Sequence, residues 1–200
     1  RLLGWSFDEI DANVARLGNR PTVGRYLEST ADVVGVDIVR NHTPGVFEIS
    51  DGAYIFRGSK YGSFDNAFIA SNGQGLYAAR DMGLMKLKQQ DYPNASKSYI
   101  VTAEEQKDYF KGVIAAANLC QPELAEKTVN ISTGTVKLTT GKMSSREGDV
   151  VTISWLFDQV RQALIDRDDE PTDDVIAGAL RYQFLKVRIG GDVIFDINLF

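Results

Sequence analysis

Residues 76–119 read LYAARDMGLMKLKQQDYPNASKSYIVTAEEQKDYFKGVIAAANL. Leu76, Leu84 and Leu87 recur at helical spacing, and Asp91 to Ala95 is a turn. Ser98-Tyr99-Ile100-Val101 is a short apolar run of strand length. From Ala103 to Leu119, Phe110, Val113, Ile114 and Ala117 mark a second helical stripe. A helix, a buried strand and another helix form the repeating element of a parallel α/β sheet. The expected fold class is therefore α/β.

Upstream, residues 1–34 read as helical and partly acidic, with Asp8, Glu9, Asp11, Glu28 and Asp32 on exposed faces and Pro21 breaking or starting a helix. Val36 to Val39 is a short β-branched run. Ser50-Asp51-Gly52 is a turn into a strand over Ala53 to Phe56, and Phe64 to Ala70 is another strand. This stretch is hairpin-like, with Gly58 and Gly62 punctuating a loop. Downstream, Val129 to Ile131 and Val136 to Leu138 are strands, ahead of a polar loop from Thr139 to Asp149. A helix over Ser154 to Ile165 carries Leu156, Val160 and Leu164 in register. The acidic run Asp166 to Asp174, with Pro171, reads as a solvated linker. Asp173 then caps a last helix that runs through Arg188 on a face of Ile176, Leu180, Phe184 and Val187.

At 200 residues the chain can bury a substantial core, and 44% apolar with 24% charged residues is an ordinary globular balance. The net charge of −5 argues against a chain built mainly to coat phosphate backbones, though a local patch can still touch RNA. Cys120 and His42 are the only residues of their types, so neither an internal disulfide nor a Cys/His metal cluster can form. A reducing, cytoplasmic setting is expected. No signal-peptide core and no run of spanning length is present, so no membrane role is expected. Cys120 is read as a small buried apolar residue, Trp5 and Trp155 as core or interface anchors, and His42 as a surface loop residue. The chain opens at Arg1 and closes on a strand-like run, and is read as a piece of a longer protein.

Three motifs carry chemistry. The first is Gly141-Lys142-Met143-Ser144-Ser145-Arg146-Glu147-Gly148-Asp149. Mobile cations on a Gly-hinged loop suit phosphate binding and stabilisation of a phosphoryl-transfer transition state. The second is Leu76-Tyr77-Ala78-Ala79-Arg80-Asp81, where Tyr77 and Asp81 share one helix face. The third is Tyr99 through Lys111, a strand-to-helix turn holding Gln106 and Tyr109, placed where ligands bind in parallel sheets.

The first motif resembles the KMSKS-type loop of class I aminoacyl-tRNA synthetases, and the other two resemble arginyl-tRNA synthetases within that class. Ser145 stands for the second loop lysine, Ala79 for a Thr, and Tyr109 for a His. Ile131 to Val136 resembles the strand whose backbone meets adenine; Ser50 to Ala53, Ile55-Phe56, Arg181-Tyr182 and Phe195-Asp196 are weaker matches in the same order. The family's His-x-Gly-His signature has no counterpart, since Asn41-His42-Thr43-Pro44 does not fit it.

The resemblance implies part of a class I synthetase Rossmann-like catalytic domain with a small insertion containing a β-hairpin. Residues 1–50 would be a helical connecting segment, 51–165 the second half of the catalytic domain with its loop, and 166–200 a linker and the start of a helical stem. It implies an ATP-dependent arginine–tRNA ligase that forms arginyl-adenylate and passes the arginyl group to tRNA(Arg), inactive as this fragment alone. Tyr77, Asp81 and Gln106 would select L-arginine; Thr135, Val136, Lys142, Met143 and Ser144 would bind ATP, with Mg²⁺; Lys142, Ser145 and Arg146 would be catalytic. The N-terminal half of the catalytic domain and a C-terminal anticodon-binding domain would be missing, and no DNA partner is implied. The alternatives are a non-catalytic synthetase-like binding module and a class I lysine or cysteine ligase. The Tyr77/Asp81 and Gln106 motifs speak against the ligase alternatives, and a cysteine ligase would also need zinc-binding cysteines.

Overall fold

The computed structural model describes residues 2–138 and 152–196. In chain order it contains α1 (Leu2–Arg16), α2 (Glu28–Asn41), β1 (Phe47–Ser50), β2 (Ala53–Phe56), β3 (Asn66–Ile69), α3 (Tyr77–Asp91) and β4 (Ser98–Ala103). There follow α4 (Lys107–Cys120), α5 (Pro122–Lys127), β5 (Thr128–Thr133), β6 (Val136–Leu138), α6 (Ile153–Ile165), α7 (Asp173–Leu185) and β7 (Val193–Phe195). The α/β class is as expected. The chain packs as two compact units: residues 25–132, and residues 1–24 together with 133–200.

Within residues 25–132, the antiparallel sheet β1-β2-β3 is organised by Asp51 and Gly52, both at positive φ (49° and 80°). That pair of left-handed residues matches a tight hairpin turn, and pairs Phe47 with Phe56 across β1 and β2. Phe47, Phe56 and Phe68 are fully buried, with ring centroids 4.9–6.1 Å apart. Around them pack Ile38 and Val39 of α2, Ala78, Ala79, Met82 and Met85 of α3, and Val113 and Ala116 of α4.

The β-branched run Val36 to Val39 lies inside α2, where burial of Ile38 and Val39 outweighs β propensity. The face of α3 also differs from the one its leucines suggest. Its buried residues are Ala78, Ala79, Met82, Gly83 and Met85, while Leu76, Leu84 and Leu87 are half-buried. Small residues win because α2 and α3 cross backbone to backbone. A Cβ on Gly35 would lie 1.8 Å from the Ala79 carbonyl oxygen, and one on Gly83 2.0 Å from that of Ala31.

β4 pairs with β5. It alternates rather than being buried throughout, with Tyr99 and Val101 59% and 64% exposed. One 3₁₀ turn, Glu104–Gln106, separates it from α4, so that helix begins four residues later than its apolar stripe suggests. His42 closes α2 with its Nδ1 2.7 Å from the Ile38 carbonyl oxygen, so it is a half-buried helix-end donor rather than a plain surface residue. Cys120 ends α4, packs against the core and has its thiol pushed up to about 12 by burial.

In the other unit, Leu156, Phe157 and Val160 of α6 pack against Ile176, Ala177 and Leu180 of α7. Thr152 and Thr172 cap these helices, each side-chain oxygen accepting from the backbone N–H three residues on. Asp173, the expected cap, is instead the first helical residue, and its carboxylate is drawn to Arg16 and Arg161. The helix ends at Leu185, short of Arg188. Arg16 also lies over the Phe157 ring, 4.0 Å from its centroid. β6 and β7 are parallel, with Val136 opposite Val193. Trp5 and Trp155 are 61% and 41% exposed, so neither is a core anchor.

Candidate functional site

The N-terminus of α3 is delivered by a tight return from β3. Ala70 donates to the Gln74 carbonyl at 2.9 Å, and Leu76 to the Phe68 carbonyl at 2.8 Å. Tyr77 is then the first residue of α3, and Asp81 follows one turn later on the same side. The two line one cleft of about 100 Å³ with Tyr26, Glu28, Ala31, Arg80 and Leu84. The cleft suits the end of a side chain and is too small for a nucleotide.

Charge in the cleft is arranged in two tiers. Arg80 is already committed: its Nε donates to Asp32 and its Nη1 to Glu28, both at 2.9 Å. Glu28 and Asp32 lie one turn apart on α2, so the guanidinium spans both. Asp32 is thus half of an ion pair and not a freely solvated acid. It also sits where Gly75 is required, since a Cβ there would lie 2.3 Å from Asp32 Oδ1.

Asp81 has no cationic partner among the described residues. It is half-buried, and burial raises its pKa above the ordinary carboxylate value. The hydrogen bond from Tyr109 opposes that rise, and the charge of Glu28 adds to it. Tyr109 Oη donates to Asp81 Oδ2 at 2.5 Å, and its own pKa is raised by burial and by this bond. Tyr77 is 71% exposed, which leaves its ring and hydroxyl open to a ligand, while the Arg80 guanidinium lies 5.7 Å from its ring centroid. The cleft is thus anionic, aromatic on one side, and short of one positive charge. A planar cation matches it.

Gln106 sits at the N-terminal boundary of α4, one turn before Tyr109, and is exposed. It does not line the cleft; Tyr109 is what connects α4 to Asp81. Sequence reasoning attached no role to Tyr109, Glu28 or Arg80. The signal for the last two was the four-residue spacing of Glu28 and Asp32, which marks one helix face.

Thr135 and Val136 belong to the other unit. Residues 131–136 form no single strand, because β5 ends at Thr133 and β6 begins at Val136. The break follows from close approach: a Cβ on Gly134 would lie 2.1 Å from the Gly191 carbonyl oxygen. Thr135 is held there by its N–H to Asp192 Oδ1 at 2.9 Å and by its carbonyl accepting from Val193 N–H at 3.0 Å. Lys142, Met143, Ser144, Ser145 and Arg146 lie outside the described residues. Among the described residues, no helix is long and apolar enough to cross a membrane.

No family model matches the chain. It is 30% identical over 200 residues to an arginine–tRNA ligase of Porphyromonas gingivalis, covering 92% of this chain and 33% of that protein. It is 28% identical to an arginine–tRNA ligase of Amoebophilus asiaticus, covering 98% of this chain and 35% of that protein. The fold resembles that of Thermus thermophilus arginyl-tRNA synthetase, with a TM-score of 0.70 at 19% identity over 92% of this chain and 39% of that one. It also resembles the Plasmodium falciparum enzyme, with a TM-score of 0.72 at 17% identity over 98% of this chain and 35% of that one. The chain thus matches a segment of arginine–tRNA ligases and spans about a third of their length.

Proposed function

We propose, on the premise that the chain corresponds to a segment of arginine–tRNA ligases, that it supplies the arginine-selecting part and the ATP loop of such an enzyme. The intact protein would join L-arginine to ATP as arginyl-adenylate, release pyrophosphate, and pass the arginyl group to the 3′ end of tRNA(Arg) in the cytoplasm. The three-part division at residues 50 and 165 belongs to this proposal.

The supporting observation is Asp81, a half-buried carboxylate with no cationic partner among the described residues, facing the same cleft as exposed Tyr77. A guanidinium would satisfy it with a charge-assisted bond and lie against the Tyr77 ring. Lysine, a compact ammonium, would leave part of this polar site unpaired. Gln106, one turn before Tyr109, would meet the substrate from the α4 side. Thr135 and Val136 would present backbone to adenine, and Lys142, Met143, Ser144, Ser145 and Arg146 would close on the triphosphate. The loop cations would offset charge developing at the α-phosphate as the arginine carboxylate attacks. Mg²⁺ would arrive on the ATP phosphates and offset their charge beside the loop cations; among the described residues, no cluster of acids, His or Cys could hold a metal ion.

The test is calorimetric titration of the intact protein with a non-hydrolysable arginyl-adenylate analogue and its lysyl counterpart. Preference for the arginyl compound of at least about tenfold, ~1.4 kcal/mol, supports the reading. Equal affinity overturns the assignment of Tyr77 and Asp81. Tight binding without ATP–pyrophosphate exchange would mark a binding module instead of a ligase.

A further inference from the structure

A second cavity within residues 25–132, about 400 Å³, takes no part in that proposal. Ser98, at the start of β4, lines it, and none of its lining residues lines the Tyr77–Asp81 cleft. Met85 and Leu124, both buried, give it an apolar floor, and Tyr92 and Tyr99 add aromatic walls.

Its charge is of one sign. Lys88, Lys97 and Lys127 all line it, and no carboxylate side chain does, in a chain of net charge −5. Lys97 donates to the Glu126 carbonyl at 2.9 Å and Lys127 to the Pro93 carbonyl at 3.2 Å. Each ammonium keeps two further N–H donors. The Lys88 ammonium has no hydrogen bond or ion pair among the described residues, and burial lowers its pKa. Ser98 Oγ is buried on the same lining with no hydrogen-bond partner. A partly desolvated ammonium and an orphaned hydroxyl both call for an acceptor.

We infer that this cavity binds a small organic anion, a phosphate or carboxylate group carried on a flat apolar body. Lys88, Lys97 and Lys127 surround the anionic group, Ser98 Oγ donates to it, and the body rests on Met85 and Leu124 between the tyrosines. The inference stands apart from the arginine assignment and uses none of its residues.

The intact protein is titrated with phenyl phosphate, benzoate and the neutral benzyl alcohol, by calorimetry and by backbone amide shifts. At least one anion is expected to bind saturably at a Kd of ~1 mM or tighter. The amide shifts should centre on Ser98 and Thr128, and benzyl alcohol should bind at least about tenfold more weakly. The tighter anion tells phosphate from carboxylate recognition. Lys88→Met is expected to weaken the anion about tenfold and Ser98→Ala about threefold, with arginine affinity unchanged in both. Lys97→Gln, at an exposed position, gives the same reading with a loss of about threefold if Lys88→Met does not fold. Absence of saturable anion binding, equal binding of benzyl alcohol, or unaltered affinity in the lysine variants overturns the inference.

Discussion

The Tyr109 hydroxyl and the Asp81 carboxylate meet at 2.5 Å, across 28 residues of sequence, and this bond ties the start of α4 to the start of α3. It supplies a half-buried carboxylate, which has no cationic partner among the described residues, with one strong donor. Tyr109→Phe removes the donor and leaves the burial. Arginine binding to the intact protein should weaken about three- to tenfold, since a hydrogen bond to a charged group contributes ~1 kcal/mol or more. Titration calorimetry reads it, and an unchanged Kd would show that Tyr109 does not support the site.

Asp81→Asn should separate binding from stability. Burial holds the Asp81 pKa above its ordinary value. Between the two values the folded state carries more protons than the unfolded one, so this group's contribution falls as pH rises through that window. Asparagine still accepts from Tyr109 and carries no charge to desolvate. The variant should melt a few degrees higher at neutral pH, by ~1 kcal/mol or less, while arginine affinity drops at least about tenfold. A lower melting temperature would contradict the argument.

The same raised pKa gives arginine binding a pH signature. The cation needs Asp81 ionised, so affinity should decline on acidification at a pH above the ordinary Asp value. Within that window, binding should expel protons, seen as heats that vary with buffer ionisation enthalpy. Asp81→Asn should abolish both effects.

Arg80 bridges Glu28 and Asp32, which joins the first turns of α2 and α3. Arg80→Met should lower stability by ~1 kcal/mol, an effect that shrinks with added salt because the pair with Glu28 is largely exposed. Arginine activation should suffer through KM, because Glu28 and Tyr77 lose their common neighbour. Steady-state kinetics at low and high salt test both.

Two glycines make a matched comparison. Gly83→Ala places a Cβ 2.0 Å from the Ala31 carbonyl oxygen and should destabilise the protein by ~2 kcal/mol or more. Gly178→Ala, inside α7, meets nothing within 4 Å and should stabilise by up to ~1 kcal/mol through helix propensity. Thermal melts of the two variants should move in opposite directions.

Much of this arrangement was legible in the sequence. The Asp51-Gly52 turn, the helix after Leu76 and the Tyr77–Asp81 spacing each rest on local rules, and each is found. What was not legible is tertiary. Leucines at helical spacing in α3 pointed to the wrong face, because close backbone approach at Gly35 and Gly83 selects small residues. The place of the β-branched Val36 to Val39 run inside α2 was not legible either, because its burial depends on partners far along the chain. Asp173 is displaced from its cap by Thr172, since Arg16 and Arg161 compete for its carboxylate. The pairing of Tyr109 with Asp81 joins two motifs that no spacing rule connects.

The backbone crossing of α2 and α3 at Gly35 and Gly83 leaves no room for those helices to slide. Glu28 hangs from one of them, and Tyr77 and Asp81 from the other. The gap between these side chains is therefore set by main-chain atoms before any ligand arrives. A receptor of that kind discriminates by rejecting shapes it cannot widen for, and loses little ordering entropy when the right one enters.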